Sequence, residues 1–236
     1  MKEQTPARRK HRMVSNKKVL VITDFDGTLS LTDVGYEVLL KFSSQDWDDI
    51  DRAYCSGEIG SKEAYGRICA ILGGTRELML HFVAENTVID PHFKEFYAFC
   101  REHDIDVKVV SDGLDFYIDF ILKSHGLADI PFYSNVMTFQ AGKPRTIEFP
   151  HANEDCNKCG TCKSNILESC QAGYGKIVYV GDGYSDLCPA RKADLVFAKG
   201  ILWTRLSEKV QPGVRKYRSF RDVKDFLSKN GFQKSR

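Results

Sequence analysis

Two aspartates, Asp24 and Asp26, stand two residues apart in VLVITDFDGTLS, where an apolar run breaks at Gly27 and Thr28. A carboxylate at such a break can act as a nucleophile, as a general acid or as a ligand for a hard cation. Two more apolar runs end in the same way: IDVKVVSDG carries Ser111, and KIVYVGDGYSD carries Asp182 and Asp186. Neighbouring parallel strands bring their ends side by side, and in an open α/β sheet that edge is where ligands bind. The four carboxylates would then share one crevice with Ser111. So close together they repel one another unless a cation sits among them, and Mg²⁺, held by one or two carboxylates together with substrate phosphate, meets that need. Ser111 and the N–H groups of the turns can bind the remaining phosphate oxygens, and Lys163 is the candidate for a fixed positive charge. Each motif alone is ordinary turn chemistry, since turns favour Asp and Gly and a lone Ser111 suits a helix N-cap. All three at strand ends, in this order, point to a phosphate site.

The elements that would position these groups follow from the pattern. Val19 to Ile22 reads as a buried parallel strand, closed by a tight turn at Gly27. DVGYEVLLKF, SKEAYGRICAIL and TRELMLHFVAEN then carry apolar residues at helical spacing, predicting a helical insertion over residues 33–88. Asp90 is expected as N-cap and Pro91 as the first residue of a helix that buries Phe93, Phe96, Tyr97 and Cys100. A second strand ends at SDG, LDFYIDFILKSHG is a helix capped by Gly126, and FYSNVMTFQAGKPRTIEF reads as a β-hairpin turning at residues 141–144. A cysteine-rich loop completes residues 131–163 and runs into a helix; ADLVFA is a further strand, and Phe220, Val223 and Leu227 give the last helix its apolar face. Strands alternating with helices predict a doubly wound parallel-sheet α/β core, residues 18–32 and 89–236, with the insertion as a small cap. Residues 1–17 read as a disordered basic tail, with Met13 as an alternative start.

Taken together, DFDGT, VVSDG, Lys163 and GDGYSD resemble the four motifs of the haloacid dehalogenase-like (HAD) phosphatases, from Lys18 to about Leu206. The insertion resembles the cap of their phosphoserine-phosphatase-like branch. The resemblance implies an Mg²⁺-dependent phosphomonoester hydrolase in which Asp24 forms an aspartyl-phosphate and Asp26 serves as general acid and then base. It also implies Mg²⁺ on Asp24, the Asp26 carbonyl and Asp182, with Asp186 orienting a water, Ser111 and Lys163 neutralising phosphoryl oxygens, and Thr28 and Gly113 supporting substrate. In the cap, Asp33 falls where phosphoserine phosphatases hold the substrate amine. Their carboxylate-binding arginine falls on Ile68, with Arg67 one residue, or about 100° of helix, away. Asp33 and Arg67 are therefore the cap candidates, while Tyr36 is expected in core packing and Arg52 on the solvated surface. CNKCGTCK resembles the methionine-salvage group acting on 2-hydroxy-3-keto-5-methylthiopentenyl-1-phosphate. GDGYSDLCPA is similar to relatives acting on pyridoxal phosphate, phosphoethanolamine or phosphocholine, and phosphoserine stays a further alternative. A phosphotransferase or phosphomutase, or a non-catalytic zinc-dependent binding protein on the same fold, are the competing readings.

The 236 residues carry a net charge of +2 with no basic stripe beyond the tail, which argues against a nucleic-acid partner. No apolar run approaches the ~18 residues of a membrane span, and no apolar export segment follows the basic start. The reading is a cytoplasmic protein with reduced thiols, taking a small phosphorylated metabolite as partner and leaving a homodimer open. Cys156, Cys159 and Cys162, with His151 or Cys170 as a fourth ligand, could hold a structural Zn²⁺; a free-thiol loop is the alternative. Cys55, Cys69, Cys100 and Cys188 are expected in packing roles, and His81, His92 and His103 on the surface or at helix ends.

Overall fold

A computed structural model describes residues 18–140, 145–207 and 213–232. The expected tail, Met13 and the hairpin turn at 141–144 lie outside the described residues. The strands are β1 (Val19–Thr23), β2 (Ile105–Leu114), β3 (Phe132–Thr138), β4 (Thr146–Glu148), β5 (Lys176–Gly181), β6 (Leu195–Ala198) and β7 (Val214–Lys216). The α-helices are α1 (Val34–Phe42), α2 (Asp48–Ser56), α3 (Ser61–Cys69), α4 (Arg76–Asn86), α5 (Phe93–Glu102), α6 (Asp115–Ser124), α7 (Lys163–Gln171), α8 (Leu187–Ala190), α9 (Gly200–Ser207) and α10 (Phe220–Lys229).

The strands form one sheet in the order β4-β3-β2-β1-β5-β6-β7, parallel except for the antiparallel hairpin of β3 and β4. Chain order reverses beside β1, which has β2 on one side and β5 on the other; this is the switch point where open sheets gather ligands. The period of two sends Leu20 and Ile22 into one core layer and Val21 into the other, so β1 is buried on both faces. The same split places Ile177 and Tyr179 of β5 with α7 and Val178 and Val180 with the larger core. This is the doubly wound α/β sheet that the alternating pattern predicts.

Between β1 and β2 the chain makes the four helices α1 to α4. Asp33 caps α1 by accepting from the Tyr36 N–H at 2.8 Å, and Thr75 caps α4. Helix α2 is not among the elements expected from the sequence, although Ile50, Ala53 and Tyr54 stand at helical spacing and pack, partly buried, against the core. Strand β7 and helix α9 are likewise additions. The expected N-cap at Asp90 is corrected. Asp90 instead closes a turn, accepting from the His92 N–H at 2.8 Å and the Phe220 N–H at 3.0 Å, and α5 begins only at Phe93. Its buried carboxylate thus ties α5 to α10. Gly126 follows α6 at φ +71°, beyond a cap at His125.

Candidate active site

Strand register brings the polar motifs together. Thr23 lies opposite both Val109 and Val180, so Asp24 comes level with the residues just before Ser111 and Asp182. The Asp24 N–H donates to the Val180 carbonyl at 2.9 Å, which holds the end of β1 against β5. Strand β2 runs on through SDG, where a polar turn was expected. It continues to Leu114 with a register shift that turns Ser111, Asp112 and Gly113 into the crevice. Gly27, at φ +69°, makes the turn after Asp26, and a Cβ there would lie 2.5 Å from Asp182 Oδ2. Only a glycine lets the turn approach that carboxylate.

The centre of the crevice is a buried lysine between two carboxylates. Lys163 Nζ lies 2.7 Å from Asp24 Oδ1 and 2.7 Å from Asp186 Oδ1, and all three side chains are almost fully shielded from solvent. Asp186 is saturated with donors, taking Tyr179 Oη at 2.6 Å and the N–H groups of Asp182 and Gly183 at 2.9 Å each. Burial alone would raise the Asp186 carboxyl, but Lys163, Tyr179 and the Gly183 N–H outweigh it and hold it below the ordinary carboxylate range. Asp24 goes the other way: burial and the charge of Asp186 raise it despite Lys163. Asp182 is pushed up to about 6 by burial and by Asp186, although Thr28 Oγ1 donates to its Oδ1 at 2.5 Å. The ligand oxygens of Asp24, Asp182 and Asp186 lie within 4.8 Å of one another, which leaves a cation-sized set of hard donors.

Asp26 sits under the helical insertion, with Oδ1 accepting from the Val34 N–H at 2.9 Å and Oδ2 from Tyr117 Oη at 2.8 Å. Ser111 Oγ is 3.4 Å from the same Oδ2 and accepts from the Gly113 N–H at 2.9 Å. Burial, then the charge of Asp33, pushes the Asp26 carboxyl up to about 7.

The cavity above these groups is about 250 Å³. Asp24, Asp26, Ser111, Gly113, Lys163, Asp182 and Asp33 line it, while Asp186 and Thr28 stand just behind. Arg67 does not reach it. It is exposed on α3, paired with Glu63 at 2.5 Å, and its neighbour Ile68 faces the cavity; the 100° step decides between them. Tyr36 is also corrected: it is 44% exposed and lines the cavity edge-on to Trp47 at 5.2 Å, where core packing was expected. Arg52 is exposed and paired with Asp49, as its surface reading requires.

Sequence reasoning missed the roof and one anchor. Trp47, Tyr54 and Tyr65 supply rings from around α2 and from α3. Asp112 accepts from Ser61 Oγ, from the Thr161 N–H at 2.9 Å and from Asn135 Nδ2 at 3.1 Å, joining β2, the start of α3 and the loop before Lys163. Its signal was its place beside Ser111 in VVSDG.

The cysteine run does not assemble as the expected Zn²⁺ site. Among the described residues, the group of three or more metal-capable side chains lying close together is Asp24, Asp182 and Asp186. Cys156 is exposed, Cys162 precedes α7, and Cys170 is on the buried face of α7 beside Lys108 Nζ at 3.6 Å. His151 packs edge-on to the Tyr133 ring at 5.1 Å. The loop's backbone does other work: the Lys62 N–H donates to the Lys158 carbonyl at 3.2 Å and the Gly160 N–H to Ser61 Oγ at 3.0 Å, docking the loop on α3. Cys100 packs in the core as expected, but Cys55 and Cys188 are exposed. His103 stacks on Phe99 at the end of α5 and His81 is exposed on α4.

Comparison with known proteins agrees with this geometry. A family model described as "Putative Phosphatase" matches residues 19–229. The chain belongs to this phosphatase family. It is 32% identical to the 2-hydroxy-3-keto-5-methylthiopentenyl-1-phosphate phosphatase of Brevibacillus brevis over 88% of this chain and 94% of that protein. It is 31% identical to the phosphatase of the same name from Bacillus pumilus over 88% of this chain and 90% of the relative. In fold it matches a phosphoserine phosphatase solved as a phospho-aspartyl intermediate analogue, with a TM-score of 0.67 and 22% identity over 89% of this chain and 99% of the other. A substrate-bound phosphoserine phosphatase matches equally well, at a TM-score of 0.67 and 21% identity over 90% of this chain and 99% of the other. The phosphatase therefore shares the HAD fold of these phosphoserine phosphatases. Among its described residues no helix is long and apolar enough to cross a membrane.

Proposed function

We propose that this phosphatase hydrolyses 2-hydroxy-3-keto-5-methylthiopentenyl-1-phosphate through an aspartyl-phosphate on Asp24, with helices α1 to α4 acting as the cap that selects the substrate. The observation that carries the substrate is the lining of the cavity. Its walls are Leu39, Trp47, Ile50 and Ile68 among others, and among the described residues the one basic side chain lining it is Lys163, already engaged by Asp24 and Asp186. Such a wall suits a neutral, apolar leaving group of the methylthio kind, in line with the relatives' names. It disfavours phosphoserine, whose carboxylate would find Ile68 where a cation is needed.

Mg²⁺ fits the oxygen donors of Asp24 and Asp182, whose repulsion and burial call for a cation, and Asp186 anchors Lys163 beside them. When bound, Mg²⁺ supplies Lewis-acid polarisation of the phosphoryl group. Asp24 attacks phosphorus; Lys163 and Ser111 hold phosphoryl oxygens, with Gly113 giving them room and Thr28 fixing Asp182. Asp26 gives a proton to the leaving oxygen and then takes one from the attacking water. The enzyme is read as cytoplasmic, with a small phosphorylated metabolite as its ligand.

A second reading rests on Asp33 and Asp51 beside the rings of Trp47 and Tyr54, which suit an amine or quaternary ammonium group as in phosphoethanolamine or phosphocholine. The test is phosphate release with Mg²⁺ and with EDTA from these two, the methylthiopentenyl enol phosphate, pyridoxal phosphate and phosphoserine. The enol phosphate is expected to lead by about 100-fold in kcat/KM, or about 2.7 kcal/mol of transition-state discrimination. A lead of that size for an aminoalkyl phosphate would replace the first reading by the second.

A pH profile tests Asp26. As general acid it must start protonated, so kcat/KM is expected to fall as pH rises through about 7. Asp33→Asn keeps the α1 cap acceptor but removes a negative charge that helps raise Asp26, so the alkaline limb should move to lower pH. Because Asp33 is exposed, water screens it and the move should be less than about one pH unit. A limb that stays put or moves upward contradicts the assignment.

A further inference from the structure

We propose that Tyr117 is the positioning residue for Asp26, holding its carboxyl at the angle proton transfer requires; the proposal rests on the reading of Asp24 as nucleophile and Asp26 as acid and base. Tyr117 lies on α6, fully buried, and does not line the cavity, so it acts only through Asp26. Its ring is fixed by Phe116 at 5.3 Å and Phe25 at 6.1 Å, and its hydroxyl donates to Asp26 Oδ2 at 2.8 Å. The Val34 N–H at the start of α1 holds Oδ1 at 2.9 Å. The carboxyl is thereby gripped at one oxygen from the core and at the other from the helical insertion.

The fit around the hydroxyl is built by two glycines. A Cβ on Gly113 would lie 2.0 Å from Tyr117 Oη and 2.5 Å from Asp26 Oδ2, and a Cβ on Gly35 would lie 3.1 Å from the same hydroxyl. The backbone on both sides has thus given up side chains to admit it. Rotation of a carboxyl about its last torsion is soft, so a bond at each oxygen is what sets its plane. Without the phenol, Oδ2 is left beside Ser111 Oγ at 3.4 Å, too long to fix it.

The consequence is specific to proton transfer. In the first half-reaction the Asp24–phosphorus bond forms, the phosphorus–leaving-oxygen bond breaks, and the Asp26 proton goes to the leaving oxygen. In the second, water attacks phosphorus, the bond to Asp24 breaks, and the water's proton returns to Asp26. A leaving group that departs as a stable anion needs no proton in the first half but still needs one removed from water in the second. A misaligned Asp26 therefore slows phenyl phosphate in both halves and p-nitrophenyl phosphate in the second half only.

The experiment compares wild type, Tyr117→Phe and Gly35→Ala on these two aryl phosphates with Mg²⁺, by steady-state and stopped-flow release. Tyr117→Phe is expected to lose about 30-fold in kcat/KM on phenyl phosphate and less than about threefold on p-nitrophenyl phosphate, with a burst of nitrophenol and a lowered kcat on the latter. Gly35→Ala, which displaces the hydroxyl by a few tenths of an ångström, should shift the ratio in the same direction by less. The ratio between two substrates on one preparation cancels any inactive fraction, and Gly35→Ala carries the test if Tyr117→Phe does not fold. Equal losses on both substrates, or none on either, would overturn the positioning role. A wild type that releases no nitrophenol, or an Asp24→Asn variant that releases it normally, would instead remove the underlying reading.

Discussion

Asp24→Asn is expected to abolish turnover, by about 10⁴-fold or more, while leaving the fold intact. The loss follows from chemistry, since an amide oxygen cannot form and release the acyl phosphate on which both half-reactions depend. The intact fold follows from electrostatics. Burial and the charge of Asp186 raise the Asp24 carboxyl, so its charged form is held there at a cost, and Lys163 keeps Asp186 as partner when the charge at Asp24 is removed. The melting temperature should therefore be unchanged or higher. A variant that keeps a tenth of the wild-type rate contradicts covalent catalysis. One that loses activity together with its melting transition would show only that Asp24 is structural.

Lys163→Met should do the opposite to stability. The lysine is buried with both Asp24 and Asp186 at 2.7 Å, so its removal leaves two carboxylates without their cation. Breaking a buried pair from one side costs about 3–5 kcal/mol, or about 6–20 °C of melting temperature for a chain of this size. The pH dependence gives the sign. Asp24 is raised even beside the lysine and without it stands further above its unfolded value, a contribution that is present below the unfolded pKa and lost as pH rises through the folded value. The deficit, measured in EDTA, should be large at pH 7.5 and should shrink toward pH 5. A deficit that is absent, or that grows as pH falls, would mean that the lysine does not balance these acids. Activity should fall with it, since Lys163 also faces the phosphoryl oxygens.

What was legible in the sequence was the set of residues placed by strand ends. Asp24, Ser111 and Asp182 each follow an apolar run and precede a glycine, and parallel register alone carries them into one crevice. Lys163 was legible only by chemistry, as the charge such a site lacks. The cap was legible as helices but not as a surface. Whether Arg67 or Ile68 faces the cavity depends on the phase of α3, and a one-residue uncertainty there is a 100° rotation. Trp47 and Tyr54 escaped because α2 is short and acidic, and its Ile50, Ala53 and Tyr54 stripe is only partly buried. Tyr117 reads in sequence as one more apolar position on a helix, and only the glycines facing its hydroxyl in space reveal the bond to Asp26. The cysteine run shows the converse. Regular spacing suggested a metal, yet the folded loop uses its backbone to dock on α3, and Cys170 turns into the core from α7.

The covalent step is the centre of the account, and borohydride reduction during turnover tests it most directly, because an acyl phosphate is reduced to the alcohol whereas a free carboxylate is not. With Mg²⁺ and the preferred phosphomonoester present, peptide mass spectrometry should find homoserine at position 24, dependent on substrate and on Mg²⁺, with Asp26, Asp182 and Asp186 unchanged. Steady turnover with Asp24 unreduced and another carboxylate reduced in its place would contradict it.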